Sequence, residues 1–208
     1  MSLDFYTNPM SRGRIARWML EEVGQPYGTH VLDFGPEMKT ADYLAINPMG
    51  KVPAIVHDGT IVTEGAAICA YLADAFPDAG LVPAPGSKAS GAYYRWLFFA
   101  AGPIEAAVTN KSLGVTIPAD KKGMVGYSDF GAVMDVMEQA VTASPYIAGD
   151  QFTAADVYFG SQVMWGLMFG SIEKRPAFEE YWARLKDRPA HLRAEELDNA
   201  LMPEKPEA

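Results

Sequence analysis

The stretch NPMGKVPAIVHDGTIVTEGAAICA, residues 47–70, decides the fold. It holds two apolar runs that flank Asp58-Gly59, and this dipeptide between such runs is a strong tight-turn signal. We therefore predict a β-hairpin, followed by a helix over residues 66–76. Proline has no N–H and cannot sit within a central ladder, so Pro53 should mark the start of the first strand. It is also a candidate for the cis isomer.

Upstream of this stretch, the sequence predicts a strand at residues 3–6, a helix after Ser11 and a second strand at residues 27–32. The helix should end at Gly24, and its apolar residues recur at helical spacing: Ile15, Trp18, Met19 and Val23. One helical turn is expected near residue 45. The resulting order, β-α-β-(α)-β-β-α, combines a parallel first half with an antiparallel second half. This layout is typical of a thioredoxin-like domain.

Downstream, the segment PDAGLVPAPGS, residues 77–87, is rich in Pro, Gly and Ala and predicts a linker. Beyond it no strand pattern recurs. Residues 88–112 are rich in aromatic side chains, and helices are expected over residues 120–142, 153–169 and 175–188. Thr153 and Asp156 have the spacing of a capping box. The last eight residues should fray. We therefore expect an α/β thioredoxin-like domain at 1–78, a linker at 79–87 and an all-α helical bundle domain at 88–208.

Composition excludes several classes of function. The chain has 208 residues and a formal net charge of -9, which disfavours a nucleic-acid surface. No apolar run approaches the length of a membrane span, and the N-terminal residues do not resemble a secretory signal, so we expect a cytoplasmic protein without membrane partners. Its single cysteine, Cys69, and three scattered histidines provide no disulfide, CxxC or HExxH motif, so no metal site is predicted.

Two helix starts could bind an anion, although each has a purely structural alternative. Ser11 either caps its own helix or donates its hydroxyl to an anion at the helix N-terminus, where Arg12 and Arg14 add positive charge. Glu64 and Gly65 either cap the helix after the hairpin or leave an N–H open to a carboxylate. Cys69 is expected to be a small buried hydrophobe.

Four segments together resemble the cytosolic glutathione transferases over nearly the full chain: YTNPMSRGR with a following LEEVG, NPMGKVPAI, TEGAAICAYL and QFTAADVYF. The resemblance implies a bacterial, serine-type member, usually a homodimer, that uses glutathione as co-substrate. It implies detoxification by conjugation of the glutathione thiolate to small apolar electrophiles.

The resemblance also implies roles for individual residues. Ser11 corresponds to the hydroxyl that stabilises the thiolate, and Pro53 to the family's cis-proline. The implied glutathione contacts come from Lys51, Val52, Pro53, Glu64, Gly65 and Arg12. Gly65 departs from the family pattern, because Ser normally follows the acidic residue there. The electrophile pocket is expected from Tyr6, Met10, Tyr94, Phe98 and Trp165.

Two alternatives stay open. One is a glutathione-dependent isomerase or dehalogenase on the same site. The other is a non-catalytic binding or chaperone-like protein, which Gly65 favours and which Ser11, Lys51 and Pro53 oppose. Whether Ser11 or Tyr6 stabilises the thiolate also stays open, since a phenol is a possible donor.

Overall fold

A computed structural model describes residues 2–202 and divides them into two compact units. The first unit contains residues 2–79 and 187–202, and the second contains residues 80–186. The residues expected to fray lie, apart from 201 and 202, outside the described ones. Among residues 2–202, none of the helices is both long and apolar enough to cross a lipid bilayer.

The strands and helices follow the predicted order closely. The strands are β1 (Leu3–Thr7), β2 (Gly28–Val31), β3 (Ala54–His57) and β4 (Thr60–Thr63). The helices are α1 (Gly13–Val23), α2 (Ala41–Ile46), α3 (Gly65–Ala75), α4 (Lys88–Phe99), α5 (Glu105–Ser112), α6 (Phe130–Ala143), α7 (Ala154–Phe169), α8 (Pro176–Leu185) and α9 (Pro189–Ala200). The predicted α/β domain followed by a helical domain is therefore confirmed.

The four strands form one mixed sheet in the order β2-β1-β3-β4. β1 runs parallel to β2 and antiparallel to β3, and β3 pairs antiparallel with β4. Leu3, Phe5 and Thr7 are buried on one face, and the guanidinium of Arg17 lies 5.1 Å from the Phe5 ring centroid. Since side chains alternate along a strand, α1 covers the face that bears Phe5 and leaves Tyr6 on the other.

The turn chemistry read from the sequence is confirmed. Asp58 and Gly59 both have positive φ, 45° and 83°, as the tight turn between β3 and β4 requires. The Val52-Pro53 peptide bond is cis, and Pro53 directly precedes β3. Gly24 ends α1 in the left-handed conformation with φ 65°.

The second unit is helical throughout its regular structure. α4 and α5 are joined by a π-helical segment, Ala100–Ile104, that contains Pro103. At the start of α7, the Asp156 carboxylate accepts the backbone N–H of Thr153 at 2.9 Å, as the predicted capping box requires. The prediction that α6 begins at residue 120 was wrong. Asp129 caps α6 by accepting the N–H of Ala132, so the α-helix begins only at Phe130.

The last helix, α9, was not predicted, and it packs against α1 within the first unit. The Arg17 guanidinium bonds the carboxylate of Asp198 at 2.6 Å. Both side chains are buried, with exposed fractions of 2% and 1%. Arg188 makes a bidentate pair with Glu22 at 2.6 and 2.7 Å. Residues 187–202 were assigned to the second domain from the sequence, but this packing joins them to the first unit.

Candidate functional site

The loop between β1 and α1 holds Ser11 through a small hydrogen-bond network. The Ser11 hydroxyl donates to the carbonyl oxygen of Asn8 at 2.7 Å and accepts the backbone N–H of Gly13 at 2.9 Å. The buried Asn8 side chain donates to the carbonyl of Leu32 and accepts the N–H of Met10, both at 2.9 Å. The Ser11 hydroxyl therefore accepts the first N–H of α1, and its own proton already has an acceptor.

Thr7 and Gly13 lie in direct contact at the two ends of this loop. Thr7 is fully buried at the end of β1, and no hydrogen-bond partner for its hydroxyl is found among residues 2–202. A Cβ on Gly13 would overlap the Thr7 hydroxyl oxygen and would lie 3.0 Å from the Ser11 hydroxyl oxygen. Glycine is thus required where α1 begins, since any side chain would displace one of the two hydroxyls.

Three arginines lie in or near the first turns of α1, where positive charge opposes the helix dipole. Arg12 is exposed at the N-cap position. Arg14 donates to the carbonyl of Pro9 at 2.6 Å and to the side chain of Asn199 at 2.9 Å. Arg17 is paired with Asp198. Of the two arginines that suggested an anion site, Arg14 therefore has contacts within the fold that account for its charge.

The loop before β3 holds Lys51 by its main chain and leaves its side chain exposed. The carbonyl oxygen of Lys51 accepts the Tyr43 hydroxyl at 2.6 Å and the Asn47 amide at 2.7 Å. Burial, and secondarily Tyr6, raises the pKa of Tyr43 to about 12, so the phenol stays a donor at neutral pH. Lys39 adds a second cation to the same loop, because its ammonium bonds the carbonyl of Met49 at 2.9 Å.

Val52, Glu64 and Gly65 each present backbone atoms suited to an extended ligand. Val52 lies between the Lys51 carbonyl and the cis bond, outside the β3 ladder that starts at Ala54. Glu64 is exposed and has φ 67° and ψ 120°, an uncommon backbone conformation for a non-glycine residue. Gly65 follows as the first residue of α3, where the N–H groups have no partner in the helix.

Tyr6 packs on the sheet face opposite to α1. Its ring stacks on His30 with centroids 4.6 Å apart and lies 5.7 Å from the Tyr43 ring. Burial, and then the charge of Asp4, raises the pKa of Tyr6. Met10, by contrast, is 55% exposed beside Ser11 in the loop.

Tyr94, Phe98 and Trp165 belong to the second unit. Tyr94 and Phe98 lie one turn apart on the outer side of α4 and are 46% and 73% exposed. Trp165 is partly buried on α7. Exposed aromatic side chains on adjacent turns form an apolar patch on the surface of α4.

The sequence did not identify several residues of the first unit that support the candidate site. Asn8 was read only as a turn residue, and the Asn8-Pro9 dipeptide was its sole signal. Lys39 and Asn199 gave no signal, because both act through contacts distant in sequence. Among residues 2–202, no group of three His, Cys, Asp or Glu side chains is placed to hold a metal ion.

The fold and this loop arrangement define a thioredoxin-like protein with a helical second unit and a candidate anion site where α1 begins. Residues 10–75 match the family model described as glutathione S-transferase, N-terminal domain. Glutathione S-transferase GstA of Escherichia coli O157:H7 is 32% identical over 153 residues, which cover 71% of this chain and 74% of that protein. The chain therefore belongs to the glutathione S-transferase family.

Solved structures agree over almost the whole length. A glutathione transferase from Methylococcus capsulatus superposes with a TM-score of 0.78 at 27% identity, covering 95% of this chain and 99% of the other. A glutathione transferase homologue from Sulfitobacter, solved with bound glutathione, has a TM-score of 0.74 at 26% identity and covers 97% and 99%.

Proposed function

We propose that this protein is a serine-type glutathione transferase, in which Ser11 donates its hydroxyl to the thiolate of bound glutathione. One observation carries the proposal: the Ser11 hydroxyl oxygen is fixed at the N-terminus of α1, with the Gly13 N–H bonded to it. A thiolate placed there would meet the positive end of the helix dipole and a hydroxyl donor. The glutathione-bound relative from Sulfitobacter supports the choice of ligand.

The remaining contacts follow from the backbone groups around the cis bond. Main-chain atoms of Val52 lie outside the β3 ladder, so an extended peptide can pair with them. The ammonium of Lys51 would meet the glycyl carboxylate, and Arg12 would add positive charge. Glu64 and the N–H of Gly65 would bind the γ-glutamyl end, without the hydroxyl that a serine would supply.

The energetics limit what Ser11 can contribute. Its proton bonds the Asn8 carbonyl at 2.7 Å, so stabilising a thiolate means exchanging one acceptor for another. A hydrogen bond to a charged group contributes about 1.5–3 kcal/mol and a neutral one about 0.5–1.5 kcal/mol. The difference corresponds to roughly one pKa unit. The helix dipole and Arg12 would have to supply any further lowering of the thiol pKa.

The thiolate would then attack an electrophile bound by apolar side chains, with conjugation and detoxification as the outcome. We assign Tyr94, Phe98 and Trp165 of the second unit to that apolar surface. The homodimer, the cytoplasmic location and the domain limits at residues 78 and 88 belong to the same proposal.

The thiolate absorbance of bound glutathione, titrated against pH, tests the proposal. In Ser11→Ala the pKa of the bound thiol should rise by about one unit, because one hydroxyl donor is lost. Ser11→Thr keeps a hydroxyl at this position and should titrate close to wild type. An identical titration in wild type and Ser11→Ala would remove Ser11 from the mechanism. Failure of the wild type to bind immobilised glutathione would overturn the function itself.

A further inference from the structure

Arg14 connects the Ser11 loop to the C-terminal helix. Its Nε donates to the carbonyl oxygen of Pro9 at 2.6 Å, and its Nη2 donates to Oδ1 of Asn199 at 2.9 Å. The backbone N–H of Arg14 also bonds the carbonyl of Ser11 at 3.3 Å. The Arg14 side chain thus links Asn199, which is 185 positions away in sequence, to the carbonyl of Pro9. Pro9 is the residue after Asn8, whose carbonyl accepts the Ser11 hydroxyl.

The position of Asn199 is itself fixed by its neighbour. Asp198 forms the buried pair with Arg17 at 2.6 Å, one turn further along α1 than Arg14. Two successive residues of α9 therefore hold two successive turns of α1. Asp198 is buried, whereas Asn199 is exposed and its side chain accepts a hydrogen bond from Arg14 in the first turn of α1.

We propose that Arg14 is a positioning residue for Ser11 and that Asn199 sets the orientation of the Arg14 side chain. Through these contacts α9 stabilises the candidate catalytic loop. The proposal rests on the role proposed for Ser11. Arg14 contacts the loop through the Pro9 carbonyl and through the first turn of α1. When Asn199 holds the guanidinium, the Pro9 carbonyl has a fixed donor, and the adjacent Asn8 carbonyl keeps the Ser11 hydroxyl in one rotamer. Without the Asn199 side chain, the Arg14 guanidinium is free to rotate into solvent and lose its bond to the Pro9 carbonyl. The hydrogen bonds of the Ser11 loop then break more often.

Substitutions at Asn199 test this without disturbing the core, because the side chain is exposed. Asn199→Ala removes the acceptor, whereas Asn199→Asp keeps an oxygen that accepts from Arg14 and should restore its hold. Glu196→Ala is the matched control, since Glu196 lies on the same helix and pairs with Arg193 instead. Arg14→Gln removes the guanidinium itself and should behave like Asn199→Ala or more strongly.

Amide hydrogen exchange of Ser11 and Gly13 in the ligand-free protein is the first measurement. Loss of one hydrogen bond should speed exchange about threefold to tenfold in Asn199→Ala, with wild-type rates in Asn199→Asp and Glu196→Ala. The second measurement is the pKa of bound glutathione, which should rise in Asn199→Ala and return in Asn199→Asp.

The two measurements separate the possible failures. Unchanged exchange in Asn199→Ala and Arg14→Gln would overturn the positioning role, whether or not glutathione binds. Faster exchange with an unchanged pKa of bound glutathione would overturn the link from Arg14 to the thiolate. If the wild type binds no glutathione, the proposed function fails, while the exchange rates still decide whether Asn199 and Arg14 hold the loop.

Discussion

Gly13 at the start of α1 lies against Thr7 at the end of β1 so closely that a Cβ on Gly13 would overlap the Thr7 hydroxyl oxygen. The same Cβ would lie 3.0 Å from the hydroxyl oxygen of Ser11. The end of β1, the start of α1 and the Ser11 hydroxyl are therefore packed so closely that no additional carbon atom fits between them. This contact fixes how near α1 begins to the sheet, and so where the Ser11 hydroxyl lies.

A double-mutant cycle at Thr7 and Gly13 measures this contact. Gly13→Ala should lower the free energy of unfolding by about 1–3 kcal/mol, the usual cost of overpacking, although alanine is the better helix former. Thr7→Ala alone should cost about 1 kcal/mol, because it removes a buried methyl group. The hydroxyl that is lost with it has no partner among residues 2–202. In the Thr7→Ala background, Gly13→Ala should cost less than about 1 kcal/mol. Urea denaturation gives all four values, and an undiminished cost in the double variant would contradict the overlap.

Replacing Ser11 by cysteine should create a reactive thiol. A thiol at a helix N-terminus that accepts an N–H ionises more readily, so the pKa of the Ser11→Cys thiol should fall below about 8.5. The rate of iodoacetamide alkylation against pH measures it. Wild type is a clean control, because its single cysteine, Cys69, is fully buried and burial raises the pKa of that thiol.

The same Ser11→Cys variant tests the glutathione site. Its thiolate should attack oxidised glutathione, forming a mixed disulfide with the protein and releasing one glutathione thiolate. This exchange should run faster than with bis(2-hydroxyethyl) disulfide, which lacks the peptide groups. Equal rates, after correction for the intrinsic reactivity of each disulfide, would show that no binding site directs the glutathione.

Tyr43 should make the Lys51 loop sensitive to alkaline pH. Its pKa is raised to about 12 in the folded protein, mainly by burial, against about 10 in an unfolded chain. The folded state therefore retains the proton longer, so stability is constant below pH 10 and falls as the pH rises toward 12. Tyr43→Phe should lessen this fall, to which Tyr27 also contributes because burial raises its pKa to about 12 as well. It should cost about 1 kcal/mol at pH 7, since Asn47 still donates to the Lys51 carbonyl.

Urea denaturation of wild type and Tyr43→Phe across the range from pH 8 to pH 11 checks the result. Tyr94→Phe is the matched control, because Tyr94 is 46% exposed on α4 and has no part in the Lys51 loop. A wild-type stability that stays level to pH 11, or a fall that persists unchanged in Tyr43→Phe, would contradict the assignment.

The buried pair of Arg17 and Asp198 should be needed as a pair. Asp198→Ala leaves a buried guanidinium without its carboxylate and should lower the free energy of unfolding by about 3–5 kcal/mol. The double variant Arg17→Met with Asp198→Leu should recover much of that loss, because it buries no charge. Arg193→Ala, which breaks an exposed pair on α9, is the control and should have little effect. Equal losses in the single and double variants would mean that the pair contributes through shape alone.

Much of the first unit could be predicted because its signals are local. Asp58 and Gly59 specify their turn through positive φ, and Pro53 marks the start of β3 because it cannot donate to the ladder. Gly24 ends α1 for the same kind of reason. The position of Ser11 before a helix was likewise visible in the sequence, as were both the capping and the anion-binding interpretations.

The α9 helix could not be read in the same way. Six of its twelve residues are polar, and its buried residues include two polar ones, His191 and Asp198. Their contacts are with Trp18 and Arg17 of α1, which no local pattern predicts. Arg14 was misinterpreted for the same reason. It looked like a charge placed for an anion, whereas its contacts with the Pro9 carbonyl and the Asn199 side chain account for it.

The sequence by itself determined the element order, the hairpin, the cis bond at Pro53 and the place of Ser11 at the start of a helix. Each depends on backbone conformations that one or two residues impose on their neighbours. Tertiary structure decided how the Ser11 hydroxyl is used, which cations are already engaged, and that α9 completes the first unit. These depend on contacts between residues up to 185 positions apart, whose partners no local pattern specifies.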